Sequence, residues 1–488
     1  MSVLSALAKV EAARTGRAQP KATVRHCHIA ERPLVVIPLK LAGEAAAPLA
    51  LLAGTSPDDA RLLIVPQPRD RVLRLRFAEQ FASVLLPMIA RFTDDTEPVI
   101  VDKKTNETVD RCVDAPQIWV PNPAGVSFLR LLGRSLRFRR TEGDDAVAEA
   151  IPALGRWLTW FCDRAEHPGS TALSPLTTHL STHWTTGQSA LEDANLSALL
   201  GWIAPPNGLS GPEAAERAED PTICPPAGPA TDPGFDNVVL APLISAYNTA
   251  PDEVARGRAV QRLEQALRTQ VEPTWALMWQ GIALLRALPE GSSVPNRWAE
   301  DVRSFSFYAE TLAEGTPQPR RDSAVSAVRR LLGREQALEK LTAAMAYDDP
   351  YVMMENRLAG TACLADVVDT EPTRTTLSDK GKRILRPLLR VATTDPFTPV
   401  VGEVLHNTAI KGQKATVLEL EDDIIVVELS GGMGRSTTTP AEGTVNVEGD
   451  RIVLARFGPD GNFRPAGLPA TEETPWTHGG PPEFDEEP

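Results

Sequence analysis

Hydrophobic periodicity changes along this chain, and each change demands a different kind of structure. Between Thr23 and Val120, short β-branched runs alternate with turns: Thr23 to Cys27, Leu34 to Leu39, Leu62 to Val65, Val99 to Val101 and Gln117 to Val120. Runs of that length and composition predict strands. Between the third and fourth, Leu75, Phe77, Phe81, Val84, Leu85, Met88 and Ile89 recur at helical spacing across Val72 to Phe92. One strand-helix-strand passage is therefore expected. A short helix, Ala124 to Leu132, then leads into the alternating segment Arg134 to Arg140, which reads as a strand.

From Ala146 to Asp369 the period becomes helical. Expected helices run over Ala146 to Glu166, Leu173 to Trp184, Ala190 to Trp202, Ala259 to Val271, Trp275 to Leu288, Asp301 to Ala313, Ala324 to Tyr347 and Val352 to Val368. The stretch Ala204 to Phe235 interrupts them with dense proline and glycine, the mark of an irregular connection. Near Arg383 the period returns to two, with strands expected at Leu388 to Ala392, Ala415 to Leu420, Ile424 to Leu429, Thr444 to Val447 and Ile452 to Arg456.

The expected fold class is multidomain α+β. An arm (1–22) precedes a basic mixed α/β domain (23–140) and a large α-helical middle (141–382) with its irregular connection at 204–235. A small all-β barrel or sandwich (383–463) and a disordered acidic tail (464–488) follow. With 488 residues, 42% of them hydrophobic, the chain can bury several cores.

Lys9, Glu11, Arg14 and Arg17 break any signal-like apolar run at the start. Lys40, Glu44 and three prolines break the most membrane-like stretch, Pro33 to Gly54. A cytoplasmic protein without membrane contact is expected. Cys27, Cys112, Cys162, Cys224 and Cys363 are scattered singly, which is neither a disulfide framework nor a zinc ribbon.

Charge is the one global feature that speaks of function. Residues 1–140 carry 21 Lys and Arg against 14 Asp and Glu, and the other 348 carry 29 against 50. The arginines concentrate at Arg69, Arg71, Arg74 and Arg76 and at Arg130, Arg134, Arg137, Arg139 and Arg140. Guanidinium forks in such clusters can grip phosphates, which makes these residues candidates for nucleic-acid binding. Ordinary solvation, or pairing with acidic segments such as the tail, accounts for them as well.

Histidines supply a metal candidate. His179 and His183 stand four apart and would project from one side of a helix toward a Zn ion. Leu180 occupies the place of the general-base Glu in H-E-x-x-H, so the zinc-protease pattern fails. His26 and His28 share one face of an expected strand, with nothing nearby in sequence to complete a site. Glu97, Asp102 and Lys104 resemble the strand-borne acid-x-Lys element of metal-dependent nucleases, in which carboxylates hold Mg²⁺ and a lysine steadies the attacking water. No phosphate-binding loop or nucleophile elbow is present in the sequence.

The reading that follows is a non-catalytic adaptor or accessory subunit that binds a protein partner, with nucleic acid as an accompanying partner and no cofactor. A metal-dependent hydrolase or nuclease, using Zn or Mg, is the alternative.

Overall fold

The computed structural model describes residues 2–102, 106–421, 423–462 and 467. Lys104 and, apart from residue 467, the acidic tail (464–488) lie outside them. The described residues form two compact units, one of residues 7–318 and one of residues 2–6 with 319–467. The protein is mixed α+β with several sheets, one of them a closed barrel.

The larger unit is organised by a five-stranded sheet in the order Arg61–Ile64, Pro48–Gly54, Leu34–Lys40, Ile118–Val120, Leu173–Pro175. Pro48–Gly54 is antiparallel to both its neighbours, and the last three strands are mutually parallel. The central strand is apolar on both faces, as a strand buried on both sides must be. Leu34 and Val36 enter one core with Phe77, Phe81, Leu129, Trp157 and Phe305. Val35, Ile37 and Leu39 enter a second with Leu199, Leu263, Trp275, Met278 and Ile282.

Helices Arg71–Thr93, Pro123–Leu136 and Ala150–Ala165 build the first core, and Leu176–His183, Leu196–Ile203 and Glu253–Arg286 build the second. The helices of 141–318 thus complete the cores of the N-terminal sheet. Side-chain caps start them: Asp70 accepts from the Leu73 N–H, Asn122 from Gly125 and Asp252 from Ala255.

Several segments differ from the sequence expectation. Arg134 to Arg140 is no strand, because helix Pro123–Leu136 runs on to turn Leu129 and Leu136 into the core. That helix crosses Ala150–Ala165 at two glycines; a Cβ on Gly155 would lie 2.3 Å from the Arg137 nitrogen. Thr23 to Cys27 makes one isolated bridge, Arg25 to Glu290, and Val99 to Val101 belongs to a separate hairpin, Thr96–Asp102 with Glu107–Cys112. The segment Leu173 to Trp184 divides at Pro175, strand before it and helix after. Strand Pro48–Gly54 forms from Leu and Ala residues that lack the β-branching which marks most strands in sequence.

The smaller unit contains a closed antiparallel barrel of Ala362–Glu371, Leu388–Thr393, Ile424–Ser430, Lys414–Glu421, Val404–Asn407 and Arg451–Ala455, in that neighbour order. Its first strand lies in the segment read as helix: Pro350–Leu358 ends at Gly360, which adopts a φ of 72°, and the chain then extends. Cys363, Ala365 and Val367 point inward at period two. Thr444 to Val447, expected as a strand, is instead turned by the Asp450 carboxylate, which accepts the Val447 N–H at 2.9 Å.

Candidate functional site

Strands Arg61–Ile64, Leu34–Lys40, Ile118–Val120 and Leu173–Pro175 all end on the same edge of the sheet, where open α/β sheets bind ligands. Chain order turns back between Leu34–Lys40 and Ile118–Val120, and the protein's own backbone occupies the crevice there. The Lys40 N–H donates to Pro229 O at 2.6 Å, and Thr231 N–H donates to Lys40 O at 3.1 Å. Asn122, just past the neighbouring strand, donates from Nδ2 to Gly228 O at 3.0 Å.

Beyond this plug the residues 233–248 wall a cleft of about 680 Å³ against the loops that follow Lys40 and Ile64. The wall includes a π-helical turn, Asp236–Leu240. Gln67, Arg69, Asp236, Asn237, Ser245 and Asn248 supply the polar lining, and Leu41, Leu240 and Ile244 supply apolar lining. The Arg69 guanidinium is neutralised by Glu44, 2.6 Å away. Asp236 accepts the Ala42 N–H on Oδ2 at 2.9 Å, while its Oδ1 is buried without a hydrogen-bond partner among the described residues. No single motif announces this cleft. The sequence marked only the irregular connection ending at Phe235, one residue before Asp236.

His26 and His183, 157 residues apart in sequence, come together. The His26 and His183 rings stack at 5.6 Å. His183 Nδ1 meets the His179 carbonyl oxygen at 2.6 Å, and its Nε2 accepts the His26 N–H at 3.0 Å. Both nitrogens of the His183 imidazole have backbone partners. Among the described residues no group of three or more His, Cys, Asp and Glu is placed to hold a metal ion. His179 lies 5.1 Å from the Trp119 ring, and burial lowers its basicity. His28 stacks on Trp298 at 4.3 Å.

The nuclease-like element is only partly described. Glu97 is exposed on its hairpin, opposite Arg111, and Asp102 ends the same strand. Lys104 lies outside the described residues.

The arginine clusters meet at an acidic loop. Asp145 pairs with Arg71 at 3.2 Å, and the same loop closes where the Val147 N–H donates to Arg140 O. Arg76, Arg134 and Arg140 are exposed; Arg74 and Arg139 reach backbone carbonyls of Ala46 and Ser135. Arg137 lies 4.5 Å over the Phe138 ring, and Arg130 pairs with Glu166.

Burial pushes the Cys27, Cys162 and Cys363 thiols up to about 12, far from the thiolate that nucleophilic or redox chemistry needs. On the barrel, a turn exposes Val400 and Val401, at 64% and 63%, with Leu418 beside them at 39%. Backbone bonds from Gly402 N–H to Val417 O and from Val417 N–H to Glu403 O join this turn to the Leu418 strand.

Compared with protein-family models, curated proteins and solved structures, the chain matches none. Among the described residues no helix is long and apolar enough to cross a membrane.

Proposed function

We propose that this protein is a non-catalytic accessory subunit that binds a protein partner through the outer face of its C-terminal barrel. The observation that carries the reading is the exposure of Val400, Val401 and Leu418 on a turn and a strand joined by backbone hydrogen bonds. Single exposed aliphatics are ordinary on protein surfaces, but adjacent ones on a rigid, hydrogen-bonded turn are what an interface buries. Val404, on the neighbouring strand, is exposed as well.

Charge selects the partner. Glu419 is exposed on the Leu418 strand, and the chain carries a net charge of −14. The complementary surface is apolar and ringed by lysine or arginine. Nucleic acid is the weaker companion, because Asp145 already neutralises Arg71. Five free cysteines fit a reducing compartment such as the cytoplasm.

A photo-cross-linking residue placed at position 401, at 418, and at the exposed control position Leu377 tests this in the native cell. The expected result is an adduct of one fixed mass from 401 and 418, absent from 377 and suppressed by Val400→Asp. No adduct at 401 and 418, or the same adducts from all three positions, overturns the proposal.

A further inference from the structure

We infer that a groove on the larger unit docks a basic peptide segment of a protein partner, one that carries an aliphatic or aromatic side chain flanked by two lysines or arginines. This surface is separate from the barrel face and does not depend on it.

Three elements wall the groove, which has a volume of about 440 Å³. They are the last turns of helix Arg71–Thr93, the hairpin of Thr96–Asp102 with Glu107–Cys112, and the second half of helix Val294–Ala313. A buried hydroxyl ties the hairpin to the helix: the Cys112 N–H donates to Ser306 Oγ at 3.1 Å, and that Oγ donates to Val302 O at 2.9 Å. Ile89 and Trp157 make an apolar floor, with Leu86 and Leu312 half-buried beside them. Thr93 Oγ1 turns inward to its own helix and donates to Ala90 O at 3.1 Å. The lining therefore presents mainly apolar surface.

Its charge comes from Asp110 on the hairpin and Glu310 on the helix. Both residues are exposed, and neither makes an ion pair or a side-chain hydrogen bond among the described residues. No basic side chain lines the groove among those residues, and the turn between helix and hairpin adds the exposed Asp94 and Asp95. The complement of two open acids on opposite walls of an apolar floor is a ligand with two cations about an apolar body. A small free amine would gain only a solvated ion pair, which is worth little. A peptide joins that pairing to burial of a side chain on the floor, so the two contributions act together. Phe307, 71% exposed and one turn before Glu310, extends the apolar surface on the same side of the helix.

The test is selection of a random peptide library, displayed on phage, against the full chain carrying Val400→Asp, so that the barrel face does not contribute. The expected consensus sets Lys or Arg on both sides of Leu, Ile or Phe. A synthetic peptide of that sequence, followed by fluorescence polarisation, should bind the parent and Val400→Asp chains alike. Its affinity should fall at least about fivefold in the double variant Asp110→Asn, Glu310→Gln. Glu216→Gln with Glu219→Gln removes two exposed acids from helix Gly211–Glu219 and should leave the affinity unchanged. Ala313→Trp fills the groove from an exposed position, keeps both carboxylates and should abolish binding. No enrichment, a consensus without basic residues, full affinity in the double variant, or binding that survives Ala313→Trp would each overturn the proposal. Dimerisation of the parent chain in sedimentation, lost in Ala313→Trp, would assign the groove to a second copy and overturn it as well.

Discussion

The two units bury polar groups in different ways. The barrel interior is aliphatic, and its fully buried polar side chains include the amides of Asn407 and Gln413, joined by a 2.8 Å bond from Nδ2 to Oε1. Its ion pairs, Arg390 with Glu421 and Arg374 with Glu428, stay partly solvated. The larger unit buries a charge. Asp301 is 0% exposed and accepts from Arg164, from Ser170 Oγ at 2.6 Å and from the Thr171 N–H at 2.7 Å. Those donors are at least 130 residues away in sequence. The barrel closes where Ala362–Glu371 pairs with Arg451–Ala455 through backbone hydrogen bonds, whereas in the layered sheet the buried Asp301 carboxylate pins the loop that delivers strand Leu173–Pro175.

Removing that pin should therefore produce the largest effect. Asp301→Ala leaves the Arg164 guanidinium buried without its counter-ion, and loss of one partner in such a pair costs about 3–5 kcal/mol. Asp301→Asn keeps part of the hydrogen bonding and should fall between the variant and the parent. Urea unfolding of the full chain measures both, and a loss below about 1 kcal/mol for Asp301→Ala would break the contrast between the units.

In the barrel the corresponding change is milder. Gln413→Ala removes one of the two hydrogen bonds that Asn407 Nδ2 donates, the other going to Asn446 Oδ1, and a net hydrogen bond is worth about 0.5–1.5 kcal/mol. Gln413 also donates to Thr444 O at 2.7 Å, so its loss should loosen the 444–450 turn as well. Hydrogen exchange at the Val447 amide, bonded to Asp450, reads that loosening directly.

The same difference governs how much of the fold was legible. The Leu34 to Leu39 and Val72 to Phe92 elements showed in the sequence because period and composition agree within each segment, and so did the barrel strands at Leu388, Ala415, Ile424 and Ile452, but not the short strand Val404–Asn407. Arg134 to Arg140 alternates like a strand, yet Gly133 and Gly155 allow a helix crossing that only tertiary packing explains. The site was less legible. Both histidine pairs were visible, but the backbone N–H that His183 accepts comes from His26, 157 residues away. Asp236 and Arg69 meet in one cleft without any shared motif, and local sequence carries no record of such an encounter.

Acidification separates the units less sharply. In the larger unit, burial holds His28, His167 and His179 below the ordinary imidazole value. In the barrel, burial lowers His406, with Lys414 nearby adding to it. A base whose folded pKa is depressed takes up its proton first in the unfolded chain. Its stabilisation is thus complete above the unfolded value of about 6.5 and is lost as pH falls toward the folded value. The larger unit, with three such groups, should lose more of its unfolding midpoint between pH 7 and pH 5 than the barrel does. His28→Gln should flatten that dependence in the larger unit alone, as followed by Trp298 fluorescence against exchange at barrel amides. Equal pH slopes for the two sets of probes would remove histidine burial from the comparison.

The smallest effect belongs to the surface arginines, where the two units should look alike. Arg71 pairs with Asp145 across half-solvated side chains, and exposed pairs of this kind are worth about 0–1 kcal/mol. Arg71→Gln should accordingly leave the unfolding midpoint of the larger unit nearly unchanged, much as Arg451→Gln, which breaks the exposed pair with Asp366, should in the barrel. The variant also tests the phosphate reading. Because the loop that contains Asp145 stands between the arginine clusters, oligonucleotide affinity should be weak and should fall gently with log salt, and Arg71→Gln should alter that slope by less than about one. Asp145→Asn frees Arg71 and should steepen it. A steep slope in the parent chain that Arg71→Gln reduces by a full unit would instead show that the basic clusters act together on a phosphate backbone, and would move nucleic acid from companion to principal partner.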